Sequence, residues 1–168
     1  MASPTAYQND VRQLYENLPF PLRNPEDERL RLLITPPDVL SKINHYCFCG
    51  RQSFDNNFRA LVAGGGTGDA LIFLAYQLAQ CGGVVTYLDM SMKSMAIAQQ
   101  RASARGLKNI EWIHASLLDI PKLHLGKFDY INCMGVLHHL DSPTQGLTCL
   151  ESVLADDGAM ALMVYGRY

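Results

Sequence analysis

The sequence predicts an α/β domain built on a doubly wound, mainly parallel sheet, with a helical N-terminal lead-in. From about residue 58 onward, short apolar runs of strand character alternate with helical stretches. The connections are long enough for helical crossovers, which favours parallel neighbours. Six of the eight prolines fall within the first 37 residues, so this part is expected to form short helices separated by breaks.

The N-terminal extension, residues 1–57, is predicted to contain three short helices. The second has Asn24 as its N-cap and continues toward Ile34, and the third covers about residues 38–46. This extension either forms a lid over a site or packs on the surface of the domain, and the sequence leaves both open. The apolar face of the first helix consists of Val11, Leu14, Tyr15 and Leu18.

Residues 58–168 are predicted to form the sheet and its helices. One helix is capped by Ser91 and ends at Gly106, and another begins at Ser142 and stops near residue 157. The remaining predicted elements are a helix at 70–79 and five strands at 58–64, 84–90, 110–115, 127–135 and 158–166.

Composition and charge disfavour a nucleic-acid-binding, membrane-spanning or disulfide-rich protein. Fourteen basic against sixteen acidic residues give a formal net charge of −2, so nothing signals binding to nucleic acid. No apolar run approaches the roughly 20 residues of a membrane-spanning helix, and the first residues lack signal-peptide features. The five cysteines form an odd, scattered set, which is typical of reduced thiols. We therefore expect a cytoplasmic protein without membrane contact.

One local cluster, His45, Cys47 and Cys49, combines metal-binding residue types. The rest of a four-ligand set has no spacing signal elsewhere in the chain. We favour the alternative that these are small buried residues at a helix end, so no metal is predicted.

A glycine-rich loop, GGGTGD at positions 64–69, lies directly between the first predicted strand and a helix. Its glycines allow a sharp turn and the close approach of a ligand, and the helix start attracts a negative group. The dinucleotide fingerprint G-x-G-x-x-G would need Gly or Ala at position 69, where Asp69 stands. This spacing disfavours an NAD-dependent dehydrogenase.

Asp89 ends the second predicted strand, 25 positions after Gly64. An acidic side chain here can accept hydrogen bonds from both hydroxyls of a ribose, as in adenosine-containing cofactors. The other interpretation is that Asp89 only helps Ser91 to cap the following helix. The order of glycine loop and acid favours ribose binding.

Taken together, these motifs resemble those of class I S-adenosylmethionine-dependent methyltransferases. The resemblance covers about residues 58–168, and YENLPFPLRNPEDERLRL is similar to the N-terminal extension of some bacterial methyltransferases. The matching pieces are LVAGGGTGD (61–69), TYLDMS (86–91), HASLLDIP (114–121), FDYINCMGVLHHLDSP (128–143) and DDGAMALMVYG (156–166).

The resemblance implies an S-adenosylmethionine cofactor and methyl transfer to an acceptor, a small molecule or a protein, that the sequence does not identify. It also implies a cofactor site made of the residues that follow each strand. Gly64, Gly65, Gly66 and Gly68 would line the methionine part, Asp89 would hold the ribose, Met90, Ser116 and Leu117 would meet the adenine, and Asn132, Cys133 and Met134 would border the sulfonium.

Two positions depart from the family's pattern. Val62 stands where the family usually carries an acid, two positions before the first loop glycine, and Ser116 replaces the usual aspartate of the adenine turn. Asp69 is a candidate to compensate. These departures keep a second function open, that of a cofactor-binding or partner-binding module without catalysis.

No catalytic residue stands out in the sequence. His138 and His139 are candidates for a base, with structural histidines at the rim of the sheet as the favoured alternative. Cys133 is not expected to act as a nucleophile, because no charge partner is apparent.

Family members normally continue with two strands after the fifth. Without them, residues 160–165 would form an exposed apolar edge strand. We therefore expect either a fragment of a longer protein or an oligomer that covers this edge.

Overall fold

A five-stranded sheet forms the centre of the computed structural model, which describes residues 6–55 and 57–166. Its strands are β1 (Arg59–Ala63), β2 (Val84–Asp89), β3 (Ile110–His114), β4 (Phe128–Met134) and β5 (Leu154–Met163). Their order is β3-β2-β1-β4-β5, and every neighbouring pair is parallel, which confirms the predicted doubly wound α/β class. The chain changes direction across the sheet at β1, where such folds open a crevice at the carboxyl ends of the strands.

The helices α3, α4 and α6 begin within one residue of the predicted places, and α5 is an additional short helix. Ser91 caps α4 by accepting a hydrogen bond from the Ser94 N–H, and Gly106 follows the helix with a φ of +68°. No helix within the described ranges is long and apolar enough to cross a bilayer. The helices are α1 (Ala6–Asn17), α2 (Leu40–Phe48), α3 (Asp69–Leu78), α4 (Met92–Ala104), α5 (Ile120–Leu123) and α6 (Pro143–Glu151).

The boundary between α6 and β5 differs from the prediction. The helix stops at Glu151, not near residue 157, and β5 begins at Leu154. Leu154 already pairs with Phe128, whereas the next paired residues are Tyr130 and Ala159. Two steps along β4 therefore oppose five along β5, which forms a bulge. The strand starts early because the Phe128 N–H donates to the Val153 carbonyl, directly after the helix.

Two hydrophobic clusters pack on the two faces of the sheet. Side chains alternate along each strand, so Val62 belongs to the first cluster and Leu61 to the second. Residues of α2, α3 and α4 complete the first cluster, and residues of α5 and α6 complete the second. Both faces are thus covered, as a parallel sheet requires.

The N-terminal extension is less helical than predicted. Asn24 does cap a turn by accepting from the Glu26 N–H, but only a 3₁₀ turn, Pro25–Arg29, follows it. Leu30 and Ile34 are 85% and 67% exposed, so this stretch has no apolar face that would stabilise a longer helix. Only part of the predicted apolar face of α1 packs against the protein: Tyr15 is partly buried, but Leu14 is exposed. The third predicted helix is present as α2.

Residues 18–38, here called the strap, cross over the glycine loop between β1 and α3. The Thr67 hydroxyl donates to the Pro21 carbonyl at 2.6 Å. Arg23 forms a two-point ion pair with Asp69, with N···O distances of 2.8 and 2.6 Å. The strap therefore holds the loop by main-chain and charged contacts.

A buried arginine on α4 joins the strap to the glycine loop. Arg101 is 1% exposed, and its Nε and Nη2 donate to Oε1 of Glu28 in the strap at 2.8 and 2.6 Å. Its Nη1 donates to the Thr67 carbonyl and to the Asp69 carboxylate, both at 2.8 Å. Arg105 also donates to Glu28. Because both charges are buried and paired, removing one partner leaves the other uncompensated.

Replacing Glu28 with alanine is expected to lower the free energy of unfolding by about 3–5 kcal/mol, because the Arg101 charge would stay buried without a partner. Urea denaturation followed by circular dichroism measures this loss. Glu26→Ala is the matched control, since its ion pair with Arg29 is exposed and contributes about 0–1 kcal/mol. Equal losses for the two variants would contradict this account of the strap.

Candidate functional site

A cavity of about 420 Å³ lies beyond the carboxyl ends of β1, β2, β3 and β4. Residues of α1 and of the strap form its outer wall. Of the residues predicted for the site, those that line it are Gly64, Gly65, Gly66, Asp89, Met90, Ser116, Leu117, Asn132 and Met134.

The glycine loop forms the floor of this cavity. The N–H groups of Gly64 and Gly65 donate to the Leu88 carbonyl at the end of β2, which ties the loop to the neighbouring strand. Gly66 has a φ of +51°, and a Cβ on it would lie 2.6 Å from the Phe20 carbonyl oxygen. Glycine is therefore required here both for the backbone conformation and for the approach of the strap.

Asp89 ends β2 at the centre of the cavity and is 9% exposed. One carboxylate oxygen accepts from the Gly66 N–H and the other from the Ser91 N–H, each at 2.8 Å. Burial raises the pKa of Asp89 above its ordinary value, although these backbone N–H groups favour the charged form. The carboxylate thus takes part in ordering the helix start, and each oxygen keeps a lone pair for a further donor such as a ribose hydroxyl.

Met90, Ser116 and Leu117 form the end of the cavity near β2 and β3. The Ser116 hydroxyl accepts from the Leu118 N–H at 3.3 Å and so caps a short 3₁₀ turn. The apolar side chains of Met90, Ala115 and Leu117 lie around it and make this slot largely apolar. Such a surface suits an aromatic ring with a polar edge.

At the opposite end, near β1 and β4, the structure brings in an acidic residue that sequence reasoning missed. Asp38, the last residue of the strap, lines the cavity and is 1% exposed. Its Oδ1 accepts from Asn132 Nδ2 at 2.7 Å and from the Tyr130 hydroxyl at 3.1 Å. No local pattern signals this role, because the contact joins residues 94 positions apart.

Gly68 and Cys133 do not line the cavity. Gly68 faces α4, where a Cβ on it would lie 3.0 Å from the Cβ of Ala98. Cys133 points to the second hydrophobic cluster, because side chains alternate and its neighbour Asn132 faces the cavity. Burial raises the pKa of the Cys133 thiol to about 12, so it stays protonated at neutral pH.

Asp69 lines the cavity, but its carboxylate is occupied by arginines. Burial alone would raise its pKa, but hydrogen bonds from Arg23 and Arg101 outweigh burial and lower the pKa below its ordinary value. Its two oxygens accept three of these bonds. Asp69 is therefore a structural anion, and it does not supply the charge that Val62 lacks.

The two histidines occupy different environments. His139 lines the cavity, and its Nε2 lies 3.2 Å from the Tyr15 hydroxyl of α1. Burial and the neighbouring His138 lower the pKa of His139, so its ring is neutral at pH 7. His138 is outside the lining, and both of its ring nitrogens are buried without a hydrogen-bond partner. Only His139 is thus placed to meet a ligand.

The cysteine cluster at the end of α2 is exposed rather than buried. Cys47 and Cys49 both face solvent, since the helix ends at this point with Cys49 in a left-handed conformation. Within residues 6–55 and 57–166, no group of three or more His, Cys, Asp or Glu is arranged to hold a metal.

Comparison with known proteins identifies the family. Residues 61–160 match the methyltransferase-domain family. This match covers more than half of the chain, so the chain belongs to that family, as the sequence motifs predicted.

Relatives and a solved structure are consistent with this assignment. An uncharacterized protein of Synechococcus sp. is 36% identical over 99% of this chain and 39% of its own length. The ubiquinone biosynthesis O-methyltransferase of Haemophilus ducreyi is 31% identical over 56% of this chain and 41% of its own length. PKMT2 from Rickettsia typhi, solved in complex with AdoHcy (S-adenosylhomocysteine), has a TM-score of 0.56 and 25% identity over 62% of this chain and 20% of that chain. The chain thus spans about two fifths of the length of these two curated relatives.

The cavity fits S-adenosylmethionine, the cofactor of this class. Its volume is within the range of about 300–1,000 Å³ that is usual for small-molecule sites. Along the cavity follow, in order, an apolar slot at Ser116 and Leu117, the Asp89 carboxylate and the glycine loop beside β1, which are the kinds of surface that an adenosine-containing ligand requires. We therefore assign S-adenosylmethionine to this cavity.

Gly66→Ala is expected to destabilise the fold and to weaken AdoHcy binding by about tenfold, or about 1.4 kcal/mol, because the new Cβ would displace Phe20 from the loop. Gly106→Ala is the control: its φ is also positive, at +68°, but nothing lies within 4 Å of the added Cβ. It should cost about 1–2 kcal/mol of stability and leave binding unchanged. Calorimetric titration and urea denaturation measure both quantities, and unchanged binding in Gly66→Ala would contradict the contact.

Proposed function

We propose that this chain is the cofactor-binding domain of an S-adenosylmethionine-dependent methyltransferase. The observation that carries the proposal is the buried Asp89 carboxylate, which faces the cavity while it holds the N–H of Gly66. The family match over residues 61–160 supports it. We also propose a cytoplasmic location, on the odd and scattered set of cysteines.

The chain contributes mainly orientation and exclusion of water. When bound, S-adenosylmethionine supplies a methyl group that its sulfonium already activates, so little further chemistry is asked of the protein. Asp89 would hold the ribose and Ser116 and Leu117 would contact the adenine, whereas the strap covers the outer side of the cavity. The apolar lining keeps bulk water from the methyl group.

We propose a hydroxyl group of a small molecule as the acceptor. The similarity to a ubiquinone biosynthesis O-methyltransferase supports this choice. His139 supports it as well, because in the tautomer whose Nε2–H donates to the Tyr15 hydroxyl the neutral ring keeps Nδ1 as an acceptor for the proton of a hydroxyl. Binding without catalysis is the alternative, in which the full-length protein binds AdoHcy but methylates none of a panel of phenols, amines and thiols.

We retain the proposal that the outer edge of β5 is covered by a further strand, either from a longer chain or from a second copy. Among the described residues no strand pairs with the outer side of β5, and Leu162 on this strand is 42% exposed, which supports it. No further partner, whether nucleic acid or membrane, is proposed.

Calorimetric titration with AdoHcy tests the cofactor assignment, with NAD as the control ligand. The native chain is expected to bind AdoHcy and to bind NAD far more weakly. Asp89→Ala should weaken AdoHcy binding by about 1–3 kcal/mol, because the ribose hydroxyls would lose their acceptor. Asp157→Ala, which removes an exposed carboxylate outside the cavity lining, is the control and should bind as the native chain does. Unchanged affinity in Asp89→Ala, or tighter binding of NAD than of AdoHcy, would contradict the proposal.

A further inference from the structure

Asp38 is a buried acid that the proposed function does not yet use. Its side chain is 1% exposed, lines the cavity, and accepts hydrogen bonds from Tyr130 and Asn132, which are both neutral. Among the described residues, no lysine, arginine or histidine forms an ion pair with it. The other two buried or half-buried acids near the strap, Glu28 and Asp69, are both paired with arginines. Asp38 thus differs from them in lacking a positive partner.

The main chain around Asp38 is held firmly. Gln77 of α3 donates from Nε2 to the Asp38 carbonyl at 2.9 Å, and its Oε1 accepts from the Leu40 N–H at 3.1 Å. The Asp38 N–H donates to the Thr35 carbonyl at 2.9 Å. These bonds fix the backbone on both sides of Asp38, so the position of its carboxylate is preorganised for ligand binding.

A buried carboxylate without a positive partner is costly. Burial disfavours the charged form of an acid and raises the pKa of Asp38 above its ordinary value, although the Thr35 hydroxyl and the hydrogen bonds from Asn132 and Tyr130 counteract this. A cation in the cavity would compensate the charge. A carboxylate has about four lone-pair sites, and the two donors on β4 both use Oδ1, so capacity for a cationic donor remains.

The order of the strands places Asp38 at one defined end of the cofactor. Adenine is assigned to the end at β3 and ribose to Asp89 on β2, so the amino-acid part must extend over β1 and β4. Asn132 on β4, which donates to Asp38, is in register with Val62 on β1. Through Asn132, the Asp38 carboxylate is therefore held beside the paired residues Val62 and Asn132. Neither of these two strand residues carries a charge.

We infer that Asp38 binds the α-ammonium group of the amino-acid part of the cofactor, and so supplies from the strap the carboxylate that β1 lacks at Val62. This inference rests on the proposed function, because it takes the ligand to be S-adenosylmethionine or AdoHcy. It makes the strap part of the binding site, and not only its cover.

A double comparison of ligand and variant tests this contact. The two ligands are AdoHcy and its desamino analogue, which lacks only the α-amino group. By calorimetry, the native chain is expected to bind AdoHcy about 10- to 100-fold more tightly than the analogue. In Asp38→Asn this preference should fall to about threefold or less, mainly through weaker binding of AdoHcy. Tyr130→Phe is the control, because it removes one hydrogen bond from Asp38 and keeps the charge, so the preference should persist.

The possible results distinguish a failure of the proposed function from a failure of the inference about Asp38. Failure of the native chain to bind either ligand would overturn the proposed function and this inference with it. Equal affinities of the native chain for the two ligands, or an Asp38→Asn variant with the native preference, would overturn the inference and leave the proposed function standing. The native comparison needs no substitution, so equal affinities would overturn the inference even when Asp38→Asn does not fold.

Discussion

The position of the strap over the glycine loop depends on one buried guanidinium, that of Arg101. Its planar set of donors reaches Glu28 in the strap, the Thr67 carbonyl in the loop and Asp69 at the start of α3 at the same time. A lysine has no such fork and would not satisfy three acceptors in these directions. Since the strap also carries Phe20 and Asp38, the same ion network sets how close the outer wall comes to the cavity.

The cavity itself follows from the parallel sheet. The ends of β1 to β4 meet at the place where the strand order changes direction, and the loops there bring glycines, a carboxylate and apolar side chains together. Charge is distributed unevenly around that crevice. Asp69 is neutralised by Arg23 and Arg101, whereas Asp38 is surrounded by neutral donors, so only one of the two acids is free to meet a cation.

Local patterns in the sequence were sufficient for β1 to β4, the capped helix α4 and the loop with Asp89. Local patterns failed at the end of α6, because the pairing of Leu154 with Phe128 sets where the helix stops. They also failed in the strap, where the predicted second helix is missing because the apolar residues are exposed. The alternation of side chains along β4 is visible in the sequence, and it places Asn132 and Cys133 on opposite faces of the sheet. Only one of the two could therefore have been predicted to line the site. Nothing local distinguished Asp38, whose burial depends on residues of a strand far along the chain.

A crystal structure of the chain with AdoHcy bound would test the central claim most directly, that the strap completes the cofactor site. We predict that the adenine lies against Ser116 and Leu117, that both ribose hydroxyls donate to Asp89, and that the α-ammonium group lies within hydrogen-bond distance of the Asp38 carboxylate. A ligand bound in the opposite direction, or one whose ammonium group faces solvent or another acid while Asp38 stays bonded only to Tyr130 and Asn132, would contradict the account.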